Sequence, residues 1–241
     1  DVVYSLPTSE KMYVGNIPMG TKFYGDKLAV GIYWKNEGGA YDIDLSGLSA
    51  GGKTGWNAAY GRGGYDNDGL MYSGDITSAP SGAVEYLYAQ KGCPGPVLVL
   101  ANIFNGSDDA TFNIIVGRGD KVDKKFMMDP NNLFVEAQVQ AVQKQSIIGL
   151  LHPEGKRQSF VVMNLGAGRS QVSGYNETST LARVALGQEW RSPLSFNSIV
   201  TELGAELVTD AKKADIDLSL NKLEKDSFIK LFSPSKTPVA A

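Results

Sequence analysis

Between Tyr41 and Tyr88 the chain carries six carboxylates, Asp42, Asp44, Asp66, Asp68, Asp75 and Glu85, against one lysine, Lys53, and one arginine, Arg62. Hard oxygen donors concentrated on glycine-rich segments suit Ca²⁺, which takes six to eight oxygens and accepts backbone carbonyls from turns. Asp66, Asp68, Gly69, Leu70 and Asp75 can be laid on an EF-hand loop with Gly64 at its first position. That loop normally starts on a carboxylate and ends on a bidentate glutamate. Here those slots hold Gly64 and the short Asp75, and glycine-rich sequence replaces the flanking helices. An EF-hand is rejected, and the oxygen inventory stands. The competing explanation is turn chemistry, in which Asp, Asn and Gly bond to nearby backbone or adopt positive φ. Turn chemistry does not explain Tyr41-Asp42-Ile43-Asp44-Leu45-Ser46, where carboxylates alternate with apolar residues along a strand-like run.

These residues carry a resemblance. The strand Asp42-Ile43-Asp44-Leu45-Ser46, the turn Met71-Tyr72-Ser73-Gly74-Asp75 and the segment Pro80-Ser81-Gly82-Ala83-Val84-Glu85-Tyr86 resemble the tellurium-resistance TerD family of calcium-binding β-sandwich domains. The resemblance spans roughly residues 28–120, and no motif extends it beyond Asp120. It implies Asp42, Asp44, Asp75 and Glu85 as metal ligands, with Asp66 and Asp68 as further oxygens. Ala83 and Val84 stand where the family has acids. The implied activity is binding in bacterial stress response, including tellurite and phage resistance. The implied localisation is cytoplasmic or virion-associated. The alternative is a structural or assembly protein, of the phage-borne kind, that self-associates; protein partners are expected on either reading. A carbohydrate-binding or carbohydrate-cleaving sandwich is a third, requiring surface aromatics that converge near Asp66 or Trp56.

Other chemistry is poorly supplied. The single histidine, His152, lies in Leu151-His152-Pro153-Glu154-Gly155, read as a turn, and cannot build a catalytic triad or a histidine zinc site alone. The single cysteine, Cys93, precedes Pro94 and Gly95 and allows no internal disulfide. Gly117-Arg118-Gly119-Asp120 and Gly61-Arg62-Gly63-Gly64 read as turns. No enzymatic role is assigned. A net charge of −3 without basic runs argues against nucleic acid. The apolar run Val97–Phe104 is far shorter than the roughly 20 residues of a spanning helix. A start at Asp1 without a leader suggests processing or a fragment. The sequons at Asn105 and Asn176 are read as chance matches.

The elements that must position the carboxylates are mostly strands. Lys11–Ile17, Leu28–Trp34, Ala40–Leu48, Ala83–Ala89, Val97–Phe104, Thr111–Val116, Phe134–Gln143 and Gln158–Leu165 are rich in β-branched and aromatic residues between Gly, Pro, Asn and Asp punctuation. In Phe134–Gln143 polar residues alternate, predicting one wet and one dry face. Val97-Leu98-Val99-Leu100 is apolar on both faces and predicts a central strand covered from both sides. After Gly174 a helical period appears in Leu181, Val184, Ala185 and Gln188. A second helix is predicted behind Ser192 and Pro193, with an apolar row of Phe196, Ile199, Val200, Leu203 and Leu207. Lys213–Leu220 returns to strand character, and Asp215-Ile216-Asp217-Leu218-Ser219 repeats the pentapeptide at Asp42. The expectation is one mostly β domain over 1–241, a two-sheet β-sandwich with two short helices in the C-terminal third and a helical appendage at 178–208.

Overall fold

A computed structural model describes residues 1–5, 13–49, 52–56, 70–89, 95–119, 130–168, 195–214 and 216–222. The described residues are mostly β, in antiparallel sheets with few helices. In chain order the strands are β1 (Val2–Val3), β2 (Tyr13–Val14), β3 (Ile17–Pro18), β4 (Lys22–Gly25), β5 (Leu28–Trp34), β6 (Ala40–Ser49) and β7 (Gly52–Gly55). They continue as β8 (Leu70–Tyr72), β9 (Ala83–Ala89), β10 (Val97–Gly106), β11 (Thr111–Arg118), β12 (Leu133–Gln140), β13 (Gln145–Glu154) and β14 (Arg157–Gly168). One sheet runs β1-β4-β14-β13-β10-β6-β7, a second runs β12-β11-β5-β9-β8, and β2 and β3 form a small hairpin.

The two large sheets share one buried apolar cluster. Val30, Ile32, Trp34, Leu87, Phe112 and Ile114 enter it from the five-stranded sheet, and Phe23, Ile43, Leu45, Val99, Leu151 and Phe160 from the seven-stranded one. Burying each such side chain contributes about 1.5–3 kcal/mol, offset by the chain entropy lost on ordering. β10 lies inside its sheet, between β13 and β6. Val97 and Val99 face the shared core, while Leu98 and Leu100 join Leu48, Leu150, Val161 and Met163 in a second cluster on the opposite face. The apolar run therefore sits as predicted. Along β12, Val135, Ala137 and Val139 are buried while Glu136, Gln138 and Gln140 are exposed, as the alternation required.

Several expectations change. Lys11–Ile17 is not one strand: β2 and β3 turn back at Gly15 and Asn16, with Tyr13 paired to Pro18 and Gly15 at φ +59°. A two-residue turn of that kind needs the left-handed backbone that glycine adopts without strain. His152 and Pro153 are not a turn but part of β13, and the chain reverses at Gly155 and Lys156, where Glu154 pairs with Arg157. Pro153 is tolerated because β10 pairs with β13 only as far as Leu151, leaving β13 one neighbour beyond it. The strand Thr111–Val116 runs on to Arg118.

The predicted helix with the Leu181 stripe, and Cys93, Ser192 and Pro193, lie outside the described residues. The second helix is α1 (Phe196–Glu202), and its cap is Ser195 rather than Ser192. Ser195 Oγ accepts from the Ser198 N–H at 3.1 Å, and Ser195 itself bridges Ser5 as extended chain. The helix closes at Gly204, φ +90°, with Ala205 N–H donating to Val200 C=O, so Leu203 and Leu207 are left exposed. Lys213–Leu220 is not a strand. A 3-10 turn spans Ala211–Lys213, and Asp217 then accepts from both the N–H and the hydroxyl of Ser219. No helix among the described residues is long and apolar enough to cross a membrane.

Candidate metal centre

The site forms where β6 loses a neighbour. β7 pairs only with Ser46–Ser49, so among the described residues the N-terminal half of β6 has a ladder partner, β10, on one side alone. Alternation puts Asp42, Asp44, Ser46 and Leu48 in sequence along this strand. Trp34 Nε1–H donates to Tyr41 C=O at 3.2 Å, tying the start of the strand to β5. On the β10 side, Asn102 Nδ2 donates to Asp44 C=O at 3.2 Å and to Ser46 Oγ at 3.0 Å, and Gln145 Nε2 donates to Asn102 Oδ1 at 3.0 Å. This chain of amides fixes the β6 backbone while leaving the aspartate side chains uncommitted.

Asp75 arrives from the loop after β8. Ser73 N–H donates to Tyr86 C=O, and Ser73 Oγ accepts from Tyr86 N–H at 2.9 Å, continuing the β8–β9 contact by one step. Gly74 then takes φ +117°, a conformation that L side chains rarely adopt, and turns the chain so that Asp75 meets β6. Ile76 N–H donates to Glu85 Oε1 at 2.9 Å, and Asn36 holds Ala79 through two bonds.

Asp42, Asp44 and Asp75 each present a carboxylate oxygen within 4.8 Å of the others. Asp42 and Asp44 are 6% and 3% exposed, and Asp75 is open to solvent. Burial, then the neighbouring Asp75, pushes the Asp42 carboxyl above its ordinary range. Burial, then Asp42 and Asp75, raises Asp44 to about 7, with Lys53 pulling the other way. Asp42 Oδ1 is buried and makes no hydrogen bond. A buried acceptor without a donor is costly, and the cost falls when a cation supplies the missing charge. All three donors are hard oxygens, which suits Ca²⁺ or another hard divalent ion and not a thiolate-seeking metal. The residues present therefore fit a metal ion.

Of the six carboxylates expected at the site, the structure gathers Asp42, Asp44 and Asp75. Asp66 and Asp68 lie outside the described residues. Glu85 stands apart from the three, fully buried behind β6. Its Oε2 accepts from Leu45 N–H at 2.8 Å and from Tyr72 O–H at 2.5 Å, and its Oε1 from Ile76 N–H. Burial drives this carboxyl well above its ordinary range, against the pull of the three donors. Glu85 thus binds together three segments of the site: β6, the end of β8 and the Asp75 loop.

Sequence reasoning missed two participants. Tyr72 carried no signal beyond its place before Ser73-Gly74-Asp75. Lys53 was counted only as a stray base, yet it is 8% exposed and lies opposite Leu48 across the β6–β7 hairpin. Cross-strand partners share a face, so Lys53 stands on the face of Asp44. Its ammonium extends over the Trp56 ring, 6.0 Å from the centroid, and Trp56 in turn contacts Phe104 at 6.0 Å. No protein-family model matches the chain, and no curated protein matches it.

Proposed function

We propose that this chain is a Ca²⁺-binding module of the TerD type, its two large sheets forming the leaves of a β-sandwich, and that it acts by binding rather than turnover. The observation that carries this reading is the cluster of Asp42, Asp44 and Asp75, two of them buried and one with a buried oxygen that no described residue satisfies. A bound cation would neutralise the three charges and fasten the Asp75 loop to β6, ordering one end of the sandwich as an interaction surface. The motifs around Asp42, Asp75 and Glu85 favour a setting in bacterial stress response, cytoplasmic or virion-associated.

The test is calorimetric titration of metal-stripped protein with Ca²⁺, repeated on Asp42→Asn and Asp75→Asn. Micromolar binding, lost in both variants, is expected. Melting temperature should rise with Ca²⁺, since a ligand at about 100 times its Kd adds roughly 2.7 kcal/mol. Absence of heat and of any melting shift in the parent protein rejects the metal site.

A second reading, assembly with copies of itself, is favoured by one region. Phe196 and Leu218 both pack on Tyr4, and between them Leu203, Leu207, Val208 and Ile216 are exposed. Exposed apolar side chains close together in sequence are the kind that another chain covers. Light scattering across a concentration series, with Leu203→Glu and Leu207→Glu as comparisons, distinguishes it: a mass above that of one chain that falls in the variants favours assembly.

A further inference from the structure

We infer that Lys53 sets the charge preference of the Asp42–Asp44–Asp75 cluster, selecting a divalent over a trivalent cation. The inference rests on the metal reading above and deepens it. Three carboxylates and a divalent ion sum to −1, and the ammonium of Lys53 brings the group to zero. A trivalent ion in the same group leaves +1 in a place where Asp42, Asp44 and Lys53 are each more than nine-tenths buried. An uncompensated charge there is expensive. Glu85, held by its donors from Leu45, Tyr72 and Ile76, is the same in the parent and in every Lys53 variant, so it cancels from the comparison between them.

Geometry places Lys53 for this role. The β6–β7 register puts it opposite Leu48, on the face that carries Ser46 and Asp44, and the side chain extends over Trp56, the residue following β7. It is therefore an inward-held cation near the acids and not a solvated surface lysine. Burial pulls the Lys53 ammonium below its ordinary range, Asp44 pulls it back toward the charged form, and Lys53 in turn favours the ionised form of Asp44. The second observation that marks the cluster as a ligand site, beyond its acidity, is the buried and unpartnered Asp42 Oδ1.

Coulomb's law makes the consequence quantitative. Repulsion between Lys53 and the bound ion scales with the ion's charge, so its logarithmic effect on a trivalent ion is about 1.5 times that on a divalent one. If Lys53→Met raises Ca²⁺ affinity about tenfold, it raises Tb³⁺ affinity about thirtyfold. The Tb³⁺-to-Ca²⁺ preference then moves about threefold toward the lanthanide. Lys53→Arg keeps the charge and leaves that preference unchanged.

The experiment measures Ca²⁺ affinity by calorimetry and Tb³⁺ affinity by sensitised luminescence on the full chain, for the parent, Lys53→Met and Lys53→Arg. Melting curves of each metal-free protein confirm folding, and Lys53→Gln replaces Lys53→Met if the latter does not fold. A gain for both ions, larger for Tb³⁺ and absent in Lys53→Arg, is the expected result. Both ions binding the parent with no change of preference in Lys53→Met overturns the role of Lys53 and leaves the metal site standing. An equal change in Lys53→Met and Lys53→Arg overturns it as well, showing a packing effect. Failure of either ion to bind any of the proteins removes the metal reading and this inference together.

Discussion

Asp-Ile-Asp-Leu-Ser occurs twice, at 42–46 and at 215–219, and the two copies end in opposite surroundings. In the first, Ile43 and Leu45 are fully buried in the shared core, and Asp44 is buried among other acids. Of the second, the structure describes Ile216–Ser219: Ile216 is 56% exposed, and Asp217 is half-buried and turned onto Ser219. The same pattern thus lies in a core-facing strand in one place, and its last four residues form a capped turn in the other. What differs is the company. β10 pairs with the first copy along its length and holds it extended, so that Ser46, which accepts from Asn102, cannot curl back onto the acid two residues before it. At 217 no strand among the described residues pairs with the chain, and the N–H and hydroxyl of Ser219 both reach Asp217, the hydroxyl reaching Asn221 Oδ1 as well. Local pattern offers the two conformations, and distant pairing selects one.

The sharpest way to break this contrast is Asp44→Asn. It should abolish the Ca²⁺-induced melting shift, and at pH 8 it should raise the melting temperature of the metal-free protein by several degrees, because a buried charge facing two others is removed. Asp217→Asn, by contrast, should move the melting temperature by no more than about 1 °C, as expected for a surface substitution. Scanning calorimetry of both variants decides it, and comparable shifts in the two would dissolve the contrast.

Next in size is Glu85→Gln. The amide nitrogen cannot accept, so a backbone N–H of Leu45 or Ile76, or the Tyr72 hydroxyl, loses its partner, at a cost of about 1–3 kcal/mol in urea denaturation. Ca²⁺ affinity should weaken as well, through misplacement of Asp75, without the complete loss expected for Asp42→Asn. A variant as stable as the parent would show that Glu85 does not hold the three segments together.

The smallest effect is also the most diagnostic in sign. Asp44 keeps its proton in the folded state to about pH 7, against 3.8 when unfolded. Between those values the native state binds more protons, so its contribution to stability is complete below pH 3.8 and is lost as the pH rises through 7. Asp217 has the opposite sign: its carboxyl is lowered by the Ser219 bonds, so its contribution is present above 3.8 and lost as the pH falls. Melting temperature of metal-free protein should therefore fall from pH 5 to pH 8, flatten in Asp44→Asn, and keep the parent's slope in Asp217→Asn. Ca²⁺ should flatten the parent's profile too, by holding Asp44 ionised.

Much of the fold is legible in the sequence where a strand is a run of β-branched and aromatic residues with clear ends. Leu28–Trp34 and Ala83–Ala89 coincide with β5 and β9 to the residue. β13 is not legible, because Gly149 sits at a shift of register and Pro153 mimics a turn; only its pairing with β14 makes it a strand. The short β4 and β8 likewise owe their conformation to partners far along the chain. At the site, alternation exposes Asp42 and Asp44, and the Ser73-Gly74-Asp75 turn exposes the third acid. The family resemblance implies Glu85 as a ligand, but no motif reveals that two backbone N–H groups and a phenol occupy its oxygens. Lys53 is recoverable in principle, since a hairpin between Ser49 and Gly52 dictates which face it shares.

The short reach of β7 has one more consequence. Beyond Ser46 the outer edge of β6 offers backbone groups that could template a strand from another molecule, the usual start of sheet-to-sheet aggregation. Here the N–H of Leu45 is already taken by the Glu85 carboxyl, and the acid cluster of Asp42, Asp44 and Asp75 lies on the same stretch of strand. An incoming strand would have to displace a buried, hydrogen-bonded side chain and lie against the charge of that cluster. The arrangement that leaves room for an ion therefore also guards the open end of the sheet against polymerisation.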